Sequence, residues 1–395
     1  MEYMVKGDFL ITGLGSVSAA GENLETSLVS FGAGVRNSGS VSIFPTSLSY
    51  PVFEYRGPLD SDTAGNGSRT LALLTKAVDE ALTDSGLHNV KGLRIGICIG
   101  TTVASQLNDL GFYRSYRETG TVSLEPVDDF LKGNPAEFLS QRLGTRGPAL
   151  TIVNACSSGT DALGVALSWL KSDSCDIAIA GGADELSLIP YAGFSSLGIL
   201  NPGLCAPFDR DRKGLNLGEG AGVMVIEKRI SALSRGVTPS LFLAGYGLSS
   251  DAYHLTAPSP EGVGLKASIV AALSEAGISA HEISFVNAHG TGTQDNDQVE
   301  GRVLAEIFGS GVTFLSTKGY TGHTLGAAGG IEGVFTAAGL REGWIPASAG
   351  FCLQDDNIPV SPVRLRTGIS GRYALSTSLA FGGNNAAVVI GLEGR

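Results

Sequence analysis

Residues 150–159, LTIVNACSSG, combine a short apolar run with a polar turn that leads into a stretch rich in Gly and Ala. This pattern predicts a buried strand at 149–153, a sharp turn, and a helix from about 157 to 171. Cys156 would lie near the helix N-terminus, where free backbone N–H groups and the helix dipole lower a thiol pKa. Because the thiolate is the nucleophile, Cys156 is a candidate for covalent catalysis, although most cysteines are simply buried hydrophobes.

Apolar, strand-like runs alternate with helical patterns along the rest of the chain, and a similar order restarts near residue 240. Near-continuous apolar strands separated by helices imply sheets that are covered on both faces. The sequence therefore predicts an α/β protein with two similar halves, 1–240 and 241–395, packed as one body. Strands are expected at 9–13, 94–100, 149–153, 176–182, 221–227, 241–247, 284–287, 313–315, 373–379 and 386–391, and long helices at 68–85, 157–171, 262–276, 296–308 and 324–341.

Composition narrows the functional class. The chain has 395 residues, 43% of them hydrophobic, and a net charge of −11, which argues against nucleic-acid binding. Its five cysteines are widely spaced and odd in number, which argues against a disulfide framework or a zinc site and favours a reducing compartment. Residues 1–8 lack the regions of a signal peptide, and no apolar run is long enough to span a membrane. We expect a cytoplasmic protein without membrane insertion.

Three further segments carry candidate chemistry. Residues 287–293, NAHGTGT, follow a predicted strand, so His289 lies where open α/β folds place their sites. Residues 316–330 hold Lys318 and His323 in a glycine-rich loop, and Glu332 follows on an apolar helix, either facing solvent or buried against Lys318. Residues 378–385, SLAFGGNN, form either an ordinary hairpin turn or a turn whose backbone N–H groups stabilise an oxyanion.

Together and in this order, the four segments resemble the β-ketoacyl-acyl-carrier-protein synthases of the type I/II class. The resemblance runs nearly end to end and includes ITGLG at 11–15, APFDRDRKG at 206–214 and LGEGAG at 217–222. It implies the thiolase fold, in which two similar αβαβα halves pack as one five-layered body.

The resemblance also implies a reaction, the decarboxylative Claisen condensation. Cys156 would accept an acyl chain from a carrier protein, and the backbone N–H groups of Cys156 and Phe381 would form its oxyanion hole. His289 and His323 would donate hydrogen bonds to the thioester carbonyl of malonyl-carrier protein. The product would be a 3-oxoacyl-carrier protein and CO2.

Supporting roles follow from the same resemblance. Lys318, paired with Glu332, would orient the site, while Thr291 and Thr293 would bind the phosphopantetheine arm and Phe381 would gate the thiol. The enzyme itself would bind no cofactor or metal, because the substrates are carried on the phosphopantetheine of the carrier protein.

Two kinds of partner are expected from the resemblance: an acyl carrier protein, and a second synthase chain in a homodimer or in a heterodimer with a homologous ketosynthase or chain-length subunit. Because carrier proteins are acidic, basic residues should form the docking patch. The candidates are Arg69, Arg210, Arg212 and Lys213, although the charged residues at 209–212 could equally pair among themselves.

Departures from the family pattern bear on the substrate. Asn154 stands where many relatives have Thr, Ala380 and Asn384 stand where they usually have Gly and Thr, and Gln294 stands where a Pro often follows the threonines. Asn154 and Ala380 flank the nucleophile and the gate, so we expect them to shape the acyl pocket. These changes favour a specialised pathway, such as aryl polyene or polyketide assembly, over primary fatty-acid synthesis.

Several alternatives can be weighed. A degradative thiolase needs a second cysteine where Phe381 stands, and an acetyl-primed synthase has Asn where His323 stands. A dinucleotide fingerprint beginning at Gly13 fails at Ser18. A non-catalytic, chain-length-determining partner subunit stays open, but such subunits lose the nucleophile, which this chain retains in Cys156.

Overall fold

The structure is a computed structural model that describes residues 7–59, 68–105, 110–132 and 134–394. The first half contains, in chain order, β1 (Phe9–Ser18), α1 (Leu24–Ala33), α2 (Arg69–Asp84), β2 (Ile95–Gly100), α3 (Leu110–Thr119), α4 (Glu125–Lys132), α5 (Pro135–Leu143), β3 (Ala149–Ile152), α6 (Ser158–Lys171), β4 (Ile177–Asp184), α7 (Leu188–Ser196), β5 (Gly220–Lys228) and α8 (Arg229–Ser234). The second half contains β6 (Leu241–Ser250), α9 (Val263–Ala276), β7 (Ile283–Asn287), α10 (Gln294–Phe308), β8 (Phe314–Leu315), α11 (Lys318–Thr321), α12 (Ala328–Glu342), β9 (Trp344–Ile345), β10 (Thr367–Gly368), β11 (Tyr373–Ala380) and β12 (Asn384–Leu392).

The same strand topology occurs twice. Ten strands are hydrogen-bonded in the order β3-β2-β4-β5-β1-β6-β12-β11-β7-β8. Strands β9 and β10 form a separate two-stranded sheet. Among the five strands that each half contributes to the large sheet, the order outward from the centre is first, fifth, fourth, second and third, with the same parallel and antiparallel pairings. The halves meet at β1 and β6, which share the single register pair Leu10 and Phe242. The division at 240/241, immediately before β6, stays a prediction.

The helices complete five layers. On the outside, α2 covers strands of the first half and α9 covers β6 and β12. In the middle, α6 and α12 pack against each other and against strands of both halves. This arrangement is the predicted thiolase fold, and it explains why strands such as β1, β2 and β4 are buried along their whole length. None of the helices in the described ranges has the length and hydropathy to cross a membrane.

The two central helices approach until their backbones touch. A Cβ atom built on Gly159 of α6 would lie 2.5 Å from the backbone nitrogen of Gly330 in α12, closer than real Cβ contacts. Glycine is therefore required at this crossing for steric reasons. Because Cys156 lies just before α6 and His323 lies shortly before α12, this contact brings the two segments to the same place.

Candidate active site

The nucleophile candidate lies in a strained turn between β3 and α6. Cys156 is 5% exposed, and the residue before it, Ala155, has a φ of 49°, a left-handed conformation that is unfavourable for a residue with a side chain. Such strain is often found at functional turns, where the surrounding structure maintains it.

Burial has the largest effect on the pKa of the Cys156 thiol. Burial raises the pKa of Cys156 to about 12, and the charge of Lys318 and the backbone N–H of Phe381 oppose the rise without cancelling it. The expected lowering of the thiol pKa at a helix N-terminus is therefore wrong, because burial outweighs it. The resting thiol is neutral and needs a proton acceptor when it reacts.

His289 follows β7 and is held by a buried cation. The Lys318 Nζ lies 3.1 Å from the His289 Nδ1 and donates to the His289 carbonyl at 2.7 Å. An ammonium can only donate, so Nδ1 is the acceptor and the ring proton sits on Nε2. Lys318 also forms a buried ion pair with Glu332, whose pKa burial raises to about 7 against the opposing charge of Lys318.

His323 has the same tautomer for a different reason. Its Nδ1 accepts from the backbone N–H of Leu325 at 3.2 Å, so its Nε2 carries the proton. The two imidazole rings are nearly perpendicular, with centroids 5.2 Å apart. Burial, and secondly the charge of Lys318, lower the pKa of both histidines well below the ordinary value. The pair therefore presents two neutral Nε2–H donors.

Glu300 anchors the His289 loop and was missed by sequence reasoning. Its carboxylate accepts from the backbone N–H groups of His289 and Gly290, each at 2.8 Å, and from the Thr377 hydroxyl at 2.8 Å. Glu300 is fully buried in α10, which begins after the loop. The available signal was an acidic residue in the second turn of the helix that follows a candidate catalytic loop.

One cleft collects most of the predicted residues. Phe381 lies at its side and stacks on Phe194, with ring centroids 5.3 Å apart and an interplanar angle of 12°. The positions that sequence analysis placed in the site and that line this cleft are Cys156, His289, Thr291, Thr293, His323, Ala380 and Phe381. Lys318 and Glu332 lie beneath this surface and act on it through His289.

The structure places Asn154 outside the lining of this cleft, and its predicted part in substrate binding stays a prediction. Among the described residues, Ala380 lines the cleft but Asn154 does not. The Asn154 amide is instead hydrogen-bonded to Asn384 and Asp161.

Two of the four docking candidates form ion pairs with buried carboxylates. Arg212 is buried, where it pairs with Asp355 at 2.5 Å and donates to the backbone carbonyl of Thr293 at 3.2 Å. Arg69 is bound to the buried Glu219 through two nitrogens. The buried Arg212 is therefore unavailable to a carrier protein, whereas the Arg69 side chain is 26% exposed and its part in docking stays a prediction.

The other two candidates, Arg210 and Lys213, are exposed. Arg210 lies 3.3 Å from Asp211, as the alternative of local pairing anticipated. Their part in docking stays a prediction.

The anchoring of the His289 loop by Glu300 can be tested by measuring the stability of a Glu300 variant. In Glu300→Gln an amide NH2 replaces one acceptor oxygen, so at least one buried donor loses its partner. We expect the free energy of unfolding to fall by about 1–3 kcal/mol in denaturant titrations. The control is Glu306→Gln on the same helix, at an exposed pair with Lys266, which should cost less than about 1 kcal/mol. Equal stability of the two variants would contradict the anchoring role.

Comparison with known proteins agrees with this geometry. The model of the beta-ketoacyl synthase N-terminal domain matches residues 60–232, and that of the C-terminal domain matches residues 241–352. The chain is 31% identical to a 3-oxoacyl-[acyl-carrier-protein] synthase 2 of Staphylococcus aureus, over 96% of this chain and 100% of that protein. It is 32% identical to the synthase of the same name from Vibrio cholerae, over 98% and 99% of the two chains.

Solved structures give the same result. The ishigamide ketosynthase/chain length factor superposes with a TM-score of 0.89 at 29% identity, covering 99% of this chain and 100% of that chain. The ketosynthase ApeO in complex with its chain length factor ApeC, from Xenorhabdus doucetiae, matches with a TM-score of 0.84 at 30% identity, covering 98% of each chain. With its duplicated topology, its nucleophile turn and its two histidine loops, the chain belongs to the β-ketoacyl synthase family.

Proposed function

We propose that the protein condenses an acyl group on Cys156 with malonyl-acyl-carrier protein to give 3-oxoacyl-acyl-carrier protein and CO2. The observation that carries this proposal is the cleft in which Cys156 meets two neutral histidines, His289 and His323. A thiol alone can be acylated, and two hydrogen-bond donors alone can stabilise an enolate. The condensation needs both in one place.

In the first step the Cys156 sulfur attacks the thioester carbonyl of an acyl-carrier protein. The thiol is neutral at rest, so its proton must leave as the carbon–sulfur bond forms. Both imidazoles already carry a proton on Nε2 and accept a hydrogen bond at Nδ1, so the proton passes to the departing carrier sulfur. The backbone N–H groups of Cys156 and Phe381 stabilise the oxyanion. The carrier thiol leaves with a proton, and the acyl group stays on Cys156.

In the second step malonyl-carrier protein loses CO2. The Nε2–H groups of His289 and His323 donate to its thioester oxygen and stabilise the negative charge that develops there. The resulting carbanion attacks the acyl thioester of Cys156. The bond to sulfur breaks, and the released chain is two carbons longer.

The phosphopantetheine arm brings both substrates to this point. The hydroxyls of Thr291 and Thr293 lie 2.9 Å apart and line the cleft, where they can pair with the amides of the arm. Phe381 gates the thiol from its stacked position against Phe194. The protein itself holds no cofactor in this mechanism.

We further propose that the protein works as a dimer in the cytoplasm, in a specialised pathway such as polyene or polyketide assembly. Two of the matched structures contain a chain length factor, as their descriptions state. Here β3 lies at an edge of the sheet, and Leu150 and the adjoining Val153 are 44% and 55% exposed. An exposed apolar edge strand favours pairing with a second chain.

A non-catalytic chain-length subunit is the alternative function. The same matched structures are compatible with it, because they contain both kinds of subunit. The retained Cys156 and its buried histidine pair favour the enzyme.

The variant Cys156→Gln separates the two half-reactions. It removes the acyl acceptor but leaves both histidine donors, so it should release CO2 from malonyl-carrier protein and form no elongated product. Adding His323→Ala to this variant should abolish CO2 release. Elongation by Cys156→Gln would contradict the role of Cys156, and failure of the unsubstituted protein to elongate any primer would favour the non-catalytic subunit.

The pH dependence tests the neutral histidines. Because their pKa values are lowered, the imidazoles become protonated only well below pH 6.5. CO2 release by Cys156→Gln should therefore change by less than about twofold between pH ~8 and ~6. A loss of activity with a midpoint near the ordinary histidine pKa would contradict this assignment.

A further inference from the structure

Two departures from the family pattern contact each other. Asn154 precedes Cys156 by two positions and Asn384 follows Phe381 by three, and 230 residues separate them along the chain. The Asn384 Nδ2 donates to the Asn154 Oδ1 at 2.5 Å. The bond joins the turn that carries the nucleophile to the hairpin that carries the gate.

A hydrogen bond to Asp161 fixes the orientation of the Asn154 amide. The Asn154 Nδ2 donates to the Asp161 carboxylate at 2.6 Å, and the same carboxylate accepts from the Ser157 hydroxyl at 2.9 Å and the Tyr246 hydroxyl at 2.7 Å. Because a carboxylate only accepts, Asn154 must turn its NH2 toward Asp161. Its carbonyl oxygen is then left to face Asn384.

The nucleophile turn is also bound to α6 through its backbone. The Asn154 N–H donates to the Ser158 hydroxyl at 2.7 Å. The Ser157 hydroxyl lies 2.9 Å from both the Asn154 carbonyl and the Asp161 carboxylate, which share its one proton. Asn154 therefore moves only with the first turn of the helix. A residue that is hydrogen-bonded to the Asn154 side chain is therefore held in position relative to the turn that carries Cys156.

The gate hairpin is held on its other side by two backbone hydrogen bonds, from the Gly382 N–H to the Leu255 carbonyl at 2.8 Å and from the Asp251 N–H to the Gly383 carbonyl at 2.7 Å. Gly382 and Gly383, with φ of 86° and 81°, form the turn between β11 and β12, and glycine has access to many other conformations. Asn384 is the first residue after them that has a side chain. Its bond to Asn154 adds a restraint in the direction of the nucleophile turn, and so limits how far the backbone N–H of Phe381 can lie from Cys156.

We propose that the Asn154–Asn384 hydrogen bond is a positioning clamp that sets the spacing between the two oxyanion-hole N–H groups, on Cys156 and Phe381. This proposal rests on the proposed function, because the clamp affects catalysis only if an acyl group is transferred to Cys156. Neither asparagine touches the reacting atoms. Both act on the steps in which an oxyanion forms at the Cys156 thioester, and they leave the decarboxylation at His289 and His323 unaffected.

The size of the effect follows from how oxyanion holes work. Their donors must already lie where the charge develops, and removing one donor costs about 100- to 1,000-fold in rate. Loosening a donor is milder than removing it. A single Asn→Thr substitution shortens one partner and breaks the clamp, so acyl transfer should slow by roughly 10- to 100-fold.

The experiment compares Asn384→Thr, Asn154→Thr and the double variant. The control is Asn357→Thr, at an exposed turn where the amide also donates to an aspartate, Asp355, at 3.1 Å. Acyl transfer from acyl-carrier protein is followed by the intact mass of the protein. CO2 release from malonyl-carrier protein is measured for each variant in the Cys156→Gln background.

Each single variant should slow acyl transfer by the amount given above, with the KM for the acyl-carrier protein and CO2 release both within about twofold of the parent. The double variant should be no slower than the slower single, because both changes break one bond. The control should transfer acyl groups at the parental rate.

Three results would overturn the clamp: acyl transfer at the parental rate in Asn384→Thr, equal losses in acyl transfer and CO2 release, or multiplicative losses in the double variant. A parent protein that neither accepts an acyl group nor releases CO2 as Cys156→Gln would overturn the proposed function itself. The two failures are therefore distinguishable.

Discussion

The position of the site depends on the close crossing of α6 and α12. Their backbones meet at Gly159 and Gly330, where a single added Cβ would lie 2.5 Å from a backbone nitrogen. The nucleophile turn lies at the start of one helix and the His323 loop shortly before the other. Because the packed helix backbones are stiff, this crossing sets the distance between the backbone segments that carry Cys156 and His323.

A second constraint is electrostatic. Lys318 is buried beneath the cleft, is neutralised by Glu332 and donates to the Nδ1 of His289. One buried cation thereby fixes the tautomer of one histidine and, together with burial, keeps both imidazoles neutral. The cleft can then offer two neutral Nε2–H donors to the oxygen of an enolate. Removing Lys318 would leave Glu332 as an uncompensated buried charge.

The sequence was sufficient for features that are local or periodic. The strands and long helices appear close to their predicted positions, and Cys156, His289 and His323 could be chosen because each lies in a short segment with its own pattern. The short helices α1, α3–α5, α7 and α11 were not predicted, because they have too few residues for a clear period.

Features that depend on tertiary contact could not be predicted. The raised pKa of Cys156 arises from burial, and Arg212 resembles a surface residue until its pairing with Asp355 is seen. The bond between Asn154 and Asn384 joins positions 230 residues apart, and nothing in either segment alone indicates the other. Glu300 had a local signal in its position on the helix after the catalytic loop, but its contacts with the backbone of that loop are seen only in the structure.

The central claim is that Cys156 accepts the acyl group, and the most direct measurement is the mass of that adduct. The protein would be incubated with acyl-carrier proteins of several chain lengths and its peptides analysed by mass spectrometry. The account predicts one acyl group per chain, located on the peptide that contains Cys156 and absent from Cys156→Gln. An adduct on Cys98, Cys175, Cys205 or Cys352, or no adduct from any carrier, would contradict it.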